Sequence, residues 1–104
     1  MKTFIILFLS LISLTASPYV YSQSAFQVVP LGIRGGTDES NLSAYMVAPF
    51  GSNEYICLDA GTVHAGIKKA IALKTFRDPP AVVLRKYIKG FFISHGHLDH
   101  LAGM

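Results

Sequence analysis

The chain has 104 residues, a formal net charge of +3, 51% hydrophobic residues, 14% charged residues and a single cysteine. One cysteine excludes an intramolecular disulfide framework and every multi-cysteine zinc module, and the apolar surplus excludes a disordered charged tail. The nine lysines and arginines stand singly or in pairs, with no basic stripe, so nucleic acid is not an expected partner.

The chain opens Met1-Lys2-Thr3, and an apolar run follows from Phe4 to Ala16, broken by Ser10, Ser13 and Thr15. Pro18 interrupts it, and Val20-Tyr21-Ser22 offers a small residue for cleavage. That order describes a secretory signal peptide over 1–22, cut after Ser22 or Ser24, with an apolar core too short to span a bilayer comfortably. The expected product is exported, periplasmic or secreted, with no stable membrane insertion after cleavage; the alternative is an uncleaved anchor. No cysteine lies near the cut, which argues against a lipid-modified one. The remainder, 23–104, stops at Met104 a few residues past its most chemically loaded segment. It is expected to be the N-terminal part of a longer protein or a truncated product, and to be inactive alone.

Phe26 to Leu31 reads as a strand that Pro30 pushes to a sheet edge. Gly32 to Ser40 is a loop carrying Gly35-Gly36 and Asp38-Glu39-Ser40. Leu42 to Ala48 and Glu54 to Leu58 flank Gly51-Ser52-Asn53 and predict a hairpin. Val63 to about Phe76 turns helical, with Ile67, Ala70 and Ile71 on one face and Thr62 as N-cap. Asp78-Pro79-Pro80 stops that helix, and Pro80 opens a second short one carrying Val83, Leu84 and Tyr87. Phe91 to Ser94 reads as a buried strand. The fold class is therefore α/β, a mixed sheet with covering helices.

Ser94 to Gly103 reads SHGHLDHLAG and holds three of the chain's four histidines, His95, His97 and His100, with Asp99. On an extended segment, residues two apart point the same way, so His95 and His97 can grip one cation. Asp99 and His100 fall where the chain turns toward a helix, and are expected to diverge from that pair and hold a second. Imidazole with carboxylate suits zinc, and also manganese or iron. Two divalent ions about 3.5–4 Å apart would activate a bridging water and steady both oxygens of an in-line displacement at phosphorus. Four donors do not fill two coordination spheres, so further ligands must come from elsewhere. The bland alternative is a polar loop of solvated histidines.

A histidine-x-histidine-x-aspartate-histidine segment after a strand resembles the hallmark of the metallo-β-lactamase fold, an αββα sandwich. Thioesterases, lactamases, RNA-processing nucleases and phosphodiesterases share that fold, so it does not choose a reaction. The blocks VVPLGIRGGTDESNLSAYMVA, YICLDAGTVHAGI and FFISHGHLDHLAGM resemble the class II cyclic-nucleotide phosphodiesterase family along nearly all of 23–104. The resemblance implies the N-terminal portion of such a sandwich, with His95, His97, Asp99 and His100 as metal ligands. It further implies two divalent ions, zinc being the expected one, and hydrolysis of cAMP, with cGMP a second candidate, to the 5′-monophosphate. The alternatives are another hydrolase on the same fold, a lactamase or ribonuclease, or an inactive remnant.

Asp59 is a candidate for orienting a ligand histidine, balanced by a role as a plain turn carboxylate. Gly35-Gly36 is expected to be only a turn. Asp38, Glu39 and Asn41 are expected to be loop structure, and His64 a surface or capping residue. Cys57 is expected to be a buried strand residue, and Lys68 and Lys69 a solvated helix face. No substrate-binding residue and no catalytic residue beyond the ligands is assigned. The partner is a small cyclic nucleotide, and a homodimer is compatible with everything above.

Overall fold

The computed structural model describes residues 23–104, and the expected leader at 1–22 lies outside the described residues. Strands β1 (Phe26–Gly32), β2 (Ala44–Pro49) and β3 (Tyr55–Leu58) are followed by helix α1 (His64–Ala72). Then come a short helix α2 (Pro80–Val82), a single π-turn over Val83–Tyr87, strand β4 (Ile88–Phe92) and a 3₁₀ turn at Leu98–His100. No helix among the described residues is long and apolar enough to cross a membrane.

The four strands form one sheet in the order β1-β2-β3-β4. β1 with β2 and β2 with β3 are antiparallel, Met46 facing Cys57 across the hairpin. β4 returns parallel to β3, with Tyr55 opposite Ile88 and Leu58 opposite Phe92. A parallel return needs a crossover, and α1 and α2 supply it. The sheet is therefore mixed, as the element order predicts. Pro30 has no N–H to give a second neighbour, and β1 does lie at the sheet edge.

Side chains alternate across a strand, and here the alternation sorts the two faces. Val29, Leu31, Ala44, Met46, Ala48, Tyr55, Cys57 and Ile88 are buried with Val63, Ile67, Ala70, Phe76 and Val83 of the helical layer. Burial pushes the Cys57 thiol up to about 11, which keeps it protonated near neutral pH, as expected of a buried strand residue. The opposite face is apolar and open: Phe26 is 66% exposed and Phe92 68%, with Val28, Ile56 and Leu58 also exposed.

Three local expectations need correction. α1 ends at Ala72, short of Phe76, because Lys74 adopts φ 66 and turns the chain. Phe76 then folds back into the core, edge-on to Tyr55 and Tyr87. Thr62 does not cap α1: Val63 occupies that place with no side-chain cap. Its hydroxyl instead accepts the Leu42 amide at 2.8 Å and donates to the Glu39 carbonyl, clasping the β1–β2 loop. The last strand runs over Ile88–Phe92, pairing on β3 through Ile88, Gly90, Phe91 and Phe92 with Lys89 skipped at a bulge, and it is not the buried strand expected: Phe91 and Phe92 are exposed.

α1 can lie this close to β1 because position 66 has no side chain. A Cβ on Gly66 would stand 2.5 Å from the Leu31 Cβ and 2.6 Å from its carbonyl oxygen. Helix propensity favours Gly66→Ala by about 1 kcal/mol, whereas forcing a methyl against fixed backbone costs about 1–3 kcal/mol. The clash wins: urea unfolding of Gly66→Ala is expected to show a lower midpoint, and an unchanged or raised midpoint would refute this packing.

Candidate metal centre

Ligand sites in open α/β sheets gather outside the carboxyl ends of the strands. Here the ends of β3 and β4 are stitched together, the Asp59 amide donating to the Phe92 carbonyl at 2.8 Å. The segment after β4 carries His95 and His97, and the 3₁₀ turn carries Asp99 and His100. That turn is held by the Ala60 amide on the His100 carbonyl (2.8 Å) and the Gly103 amide on the Ala60 carbonyl (2.7 Å). The two turns that close β3 and β4 thus support each other.

The imidazoles converge. The ring centroids of His95 and His97 are 4.6 Å apart, and those of His95 and His100 are 4.0 Å apart. His100 therefore folds back on His95 rather than diverging from it, because its ring is pulled inward by Asp59. The Asp99 Oδ2 lies 3.5 Å from His100 Nε2.

Asp59 is 8% exposed and adopts φ 59, a left-handed conformation that aspartate tolerates better than most residues. Its Oδ1 accepts the Ser94 amide at 2.8 Å. Its Oδ2 accepts the Ser43 hydroxyl at 3.1 Å and meets His100 Nδ1 at 2.7 Å. Burial would raise this carboxyl, but the Ser94 amide, His100 and the two serine hydroxyls outweigh it and hold the acid well below its ordinary 3.8. An ionised Asp59 can only accept, so His100 Nδ1 carries a proton and donates it to Asp59, leaving Nε2 turned toward Asp99. The contact that a histidine-orienting role requires is present, while the turn itself is made by the backbone of the same residue.

Gly36 donates its amide to Asp99 Oδ2 at 3.1 Å. That bond, joined by the nearby His100, keeps Asp99 below the usual carboxylate range despite partial burial. Gly35-Gly36 is thus more than the turn expected of it, since the Gly36 amide touches the cluster directly. Asp38 and Asn41 do stay within the loop, capping Ser40 and bonding Ile33. His64 is exposed at the start of α1, as expected. Sequence reading missed Ser94, whose hydroxyl lies 3.0 Å from His95 Nδ1, and Ser43. Adjacency to His95 was the available signal for Ser94; Ser43 had none.

The donor chemistry fits a divalent cation: imidazoles and a carboxylate gather in one place, and one imidazole has its outer nitrogen fixed by a carboxylate, the usual support for a metal-binding histidine. Among the described residues, no group of three or more His, Cys, Asp or Glu side chains is placed to hold a metal ion by itself; the geometry shows convergent imidazoles and two carboxylates.

No protein-family model matches the chain, and no solved structure does. Curated proteins do match. A "cAMP/cGMP-dependent 3′,5′-cAMP/cGMP phosphodiesterase 7" of Dictyostelium discoideum is 35% identical over 78% of this chain and 23% of its own length. The "3′,5′-cyclic-nucleotide phosphodiesterase" of Aliivibrio fischeri is 35% identical over 82% of the chain and 30% of its own. A "Probable 3′,5′-cyclic-nucleotide phosphodiesterase" of Yersinia pestis is 37% identical over 100% of the chain and 32% of its own. The chain is thus homologous to part of proteins named cyclic-nucleotide phosphodiesterase, consistent with a partial class II member. It spans less than a third of the length of these curated relatives.

Asparagine also tolerates the left-handed backbone at position 59, so Asp59→Asn tests the carboxylate alone. An amide facing His100 inverts the tautomer and places the proton on Nε2. Zinc affinity, measured by competition with a chromophoric chelator, is expected to fall about 10–100-fold, and unchanged affinity would remove Asp59 from the centre.

Proposed function

We propose that the protein carrying this chain is a metal-dependent class II phosphodiesterase that hydrolyses 3′,5′-cyclic nucleotides, cAMP first and cGMP second, to nucleoside 5′-monophosphates. One observation carries this reading: imidazoles and a carboxylate converge at the end of β4 in a chain whose homologues bear that enzyme name. His95 and His97 would hold one divalent ion, and Asp99 and His100 a second, with zinc the favoured metal. Remaining donors and the nucleotide pocket belong to the rest of the protein. When bound, such ions make water a nucleophile near neutral pH and neutralise charge on phosphate oxygens.

This chain's own residues do the positioning. Asp59 keeps His100 in one tautomer, the Ser94 hydroxyl faces His95 Nδ1, and Gly36 holds Asp99. Water adds to phosphorus, the bond from phosphorus to the 3′-oxygen breaks, and that oxygen leaves as a hydroxyl with a proton from the water. The cyclic phosphodiester carries one negative charge and is drawn to a cationic pair.

The fold we propose is the metallo-β-lactamase αββα sandwich. Support comes from the sheet itself, which has helices on one face and an open apolar surface of Phe26, Val28, Ile56, Leu58 and Phe92 on the other. A second sheet would cover such a surface. Export after removal of 1–22 completes the proposal, and would place the enzyme in the periplasm or outside the cell.

Purified protein carrying this chain at full length, offered cAMP, a cephalosporin and a precursor tRNA, is expected to convert cAMP alone, to 5′-AMP. Chelation should abolish turnover and zinc restore it, and His97→Ala should lower kcat/KM by about 100-fold or more. Cleavage of the cephalosporin or the RNA with cAMP untouched would contradict the assignment.

A further inference from the structure

The loop between β1 and β2 reaches across the molecule to a residue 63 positions away: the Gly36 amide donates to Asp99 Oδ2 at 3.1 Å. The same oxygen stands 3.5 Å from His100 Nε2. A Cβ on Gly35 would meet that oxygen at 3.0 Å, tighter than an ordinary contact, so a side chain there would press the carboxylate aside by a few tenths of an ångström. Gly36 adopts φ 99, which only glycine enters freely.

The loop that makes these contacts is anchored. Ile33 and Arg34 donate to the Asn41 carbonyl at 3.2 and 2.8 Å, and Ser43 donates to the Arg34 carbonyl at 2.9 Å. Thr62 then ties Glu39 and Leu42 to the turn after β3. An aspartate's terminal torsion is broad and nearly two-fold when unrestrained. The Gly36 amide on one oxygen, with only room for a glycine at position 35 beside it, favours one rotation of that carboxylate.

We propose that Gly35-Gly36 is a positioning strap that sets the carboxylate rotation of Asp99, and thereby the geometry of the cation it shares with His100. This rests on the metal-centre reading above. The strap also joins the cation to its surroundings, because Gly36 lines a depression of about 340 Å³ with Thr37, Glu39, Leu42, Leu98 and Ala102, directly beside Asp99. A shift of the loop then moves both the depression's wall and the carboxylate.

The test uses Gly35→Ala and Gly36→Ala in the full-length protein, with Gly51→Ala as control. Gly51 is also left-handed, at φ 79, with nothing within 4 Å of its missing Cβ, so it carries the backbone penalty of Gly36 without the contact. Zinc binding and the visible spectrum of the cobalt-substituted protein are read beside thermal unfolding of the metal-free form. Both strap variants are expected to weaken one equivalent of zinc about 10–100-fold and to alter the cobalt spectrum. Gly51→Ala should leave both unchanged, with metal-free unfolding equal to that of Gly36→Ala. Wild-type protein that binds zinc, with Gly35→Ala matching it in affinity and spectrum, overturns the strap alone. Equal losses in Gly36→Ala and Gly51→Ala overturn it too, as a general effect of strain. Wild-type protein that takes up no zinc overturns the metal-centre reading and the strap with it.

Discussion

One buried carboxylate organises this molecule's chemical end. Asp59 leaves β3 in a left-handed turn and receives the amide of Ser94 as the chain leaves β4, while its other oxygen holds His100. A buried charge is tolerable only when hydrogen-bonded on every side, and these donors meet that demand together. Take the carboxylate away and the two strand ends lose their shared partner, and the imidazole of His100 loses its fixed tautomer. The inward lean of His100 onto His95 follows from that one constraint.

The helical crossover makes the constraint possible. Returning parallel, β4 finishes on the same side of the sheet as β3, so the turns after both strands meet. An antiparallel β4 would have carried the histidines to the opposite end of the strands. Burial of Ile67 of α1 and Val83 of the π-turn with Met46 and Cys57 of the sheet fixes that return, and the close seat at Gly66 brings α1 onto β1. The other sheet face is left apolar and open among the described residues.

Much of this was legible in the residues. The alternation in β2 and β3 and the turn between them announce a hairpin, and Pro30 announces an edge. The density of His95, His97, Asp99 and His100 along the chain announces a polar cluster, and the structure does bring these side chains together. What escaped were pairings with no local mark. Gly36 and Asp99 are 63 positions apart, and a Gly-Gly pair looks the same whether it turns a chain or cradles a carboxylate. Thr62 is a good residue type for a helix cap and an equally good one for a loop clasp, and only the tertiary fold decides. The early end of α1 turns on a left-handed Lys74, a conformation that lysine gives no reason to expect. The inward lean of His100 depends on Asp59, 41 positions upstream.

X-ray absorption at the zinc edge of the full-length protein examines the heart of this account most directly. A nearest shell of nitrogen and oxygen at about 2.0–2.1 Å is expected, with imidazole multiple scattering that weakens in His95→Ala and His100→Ala. A shell showing no imidazole scattering, or dominated by sulfur at about 2.3 Å, would mean that the convergent histidines hold no metal.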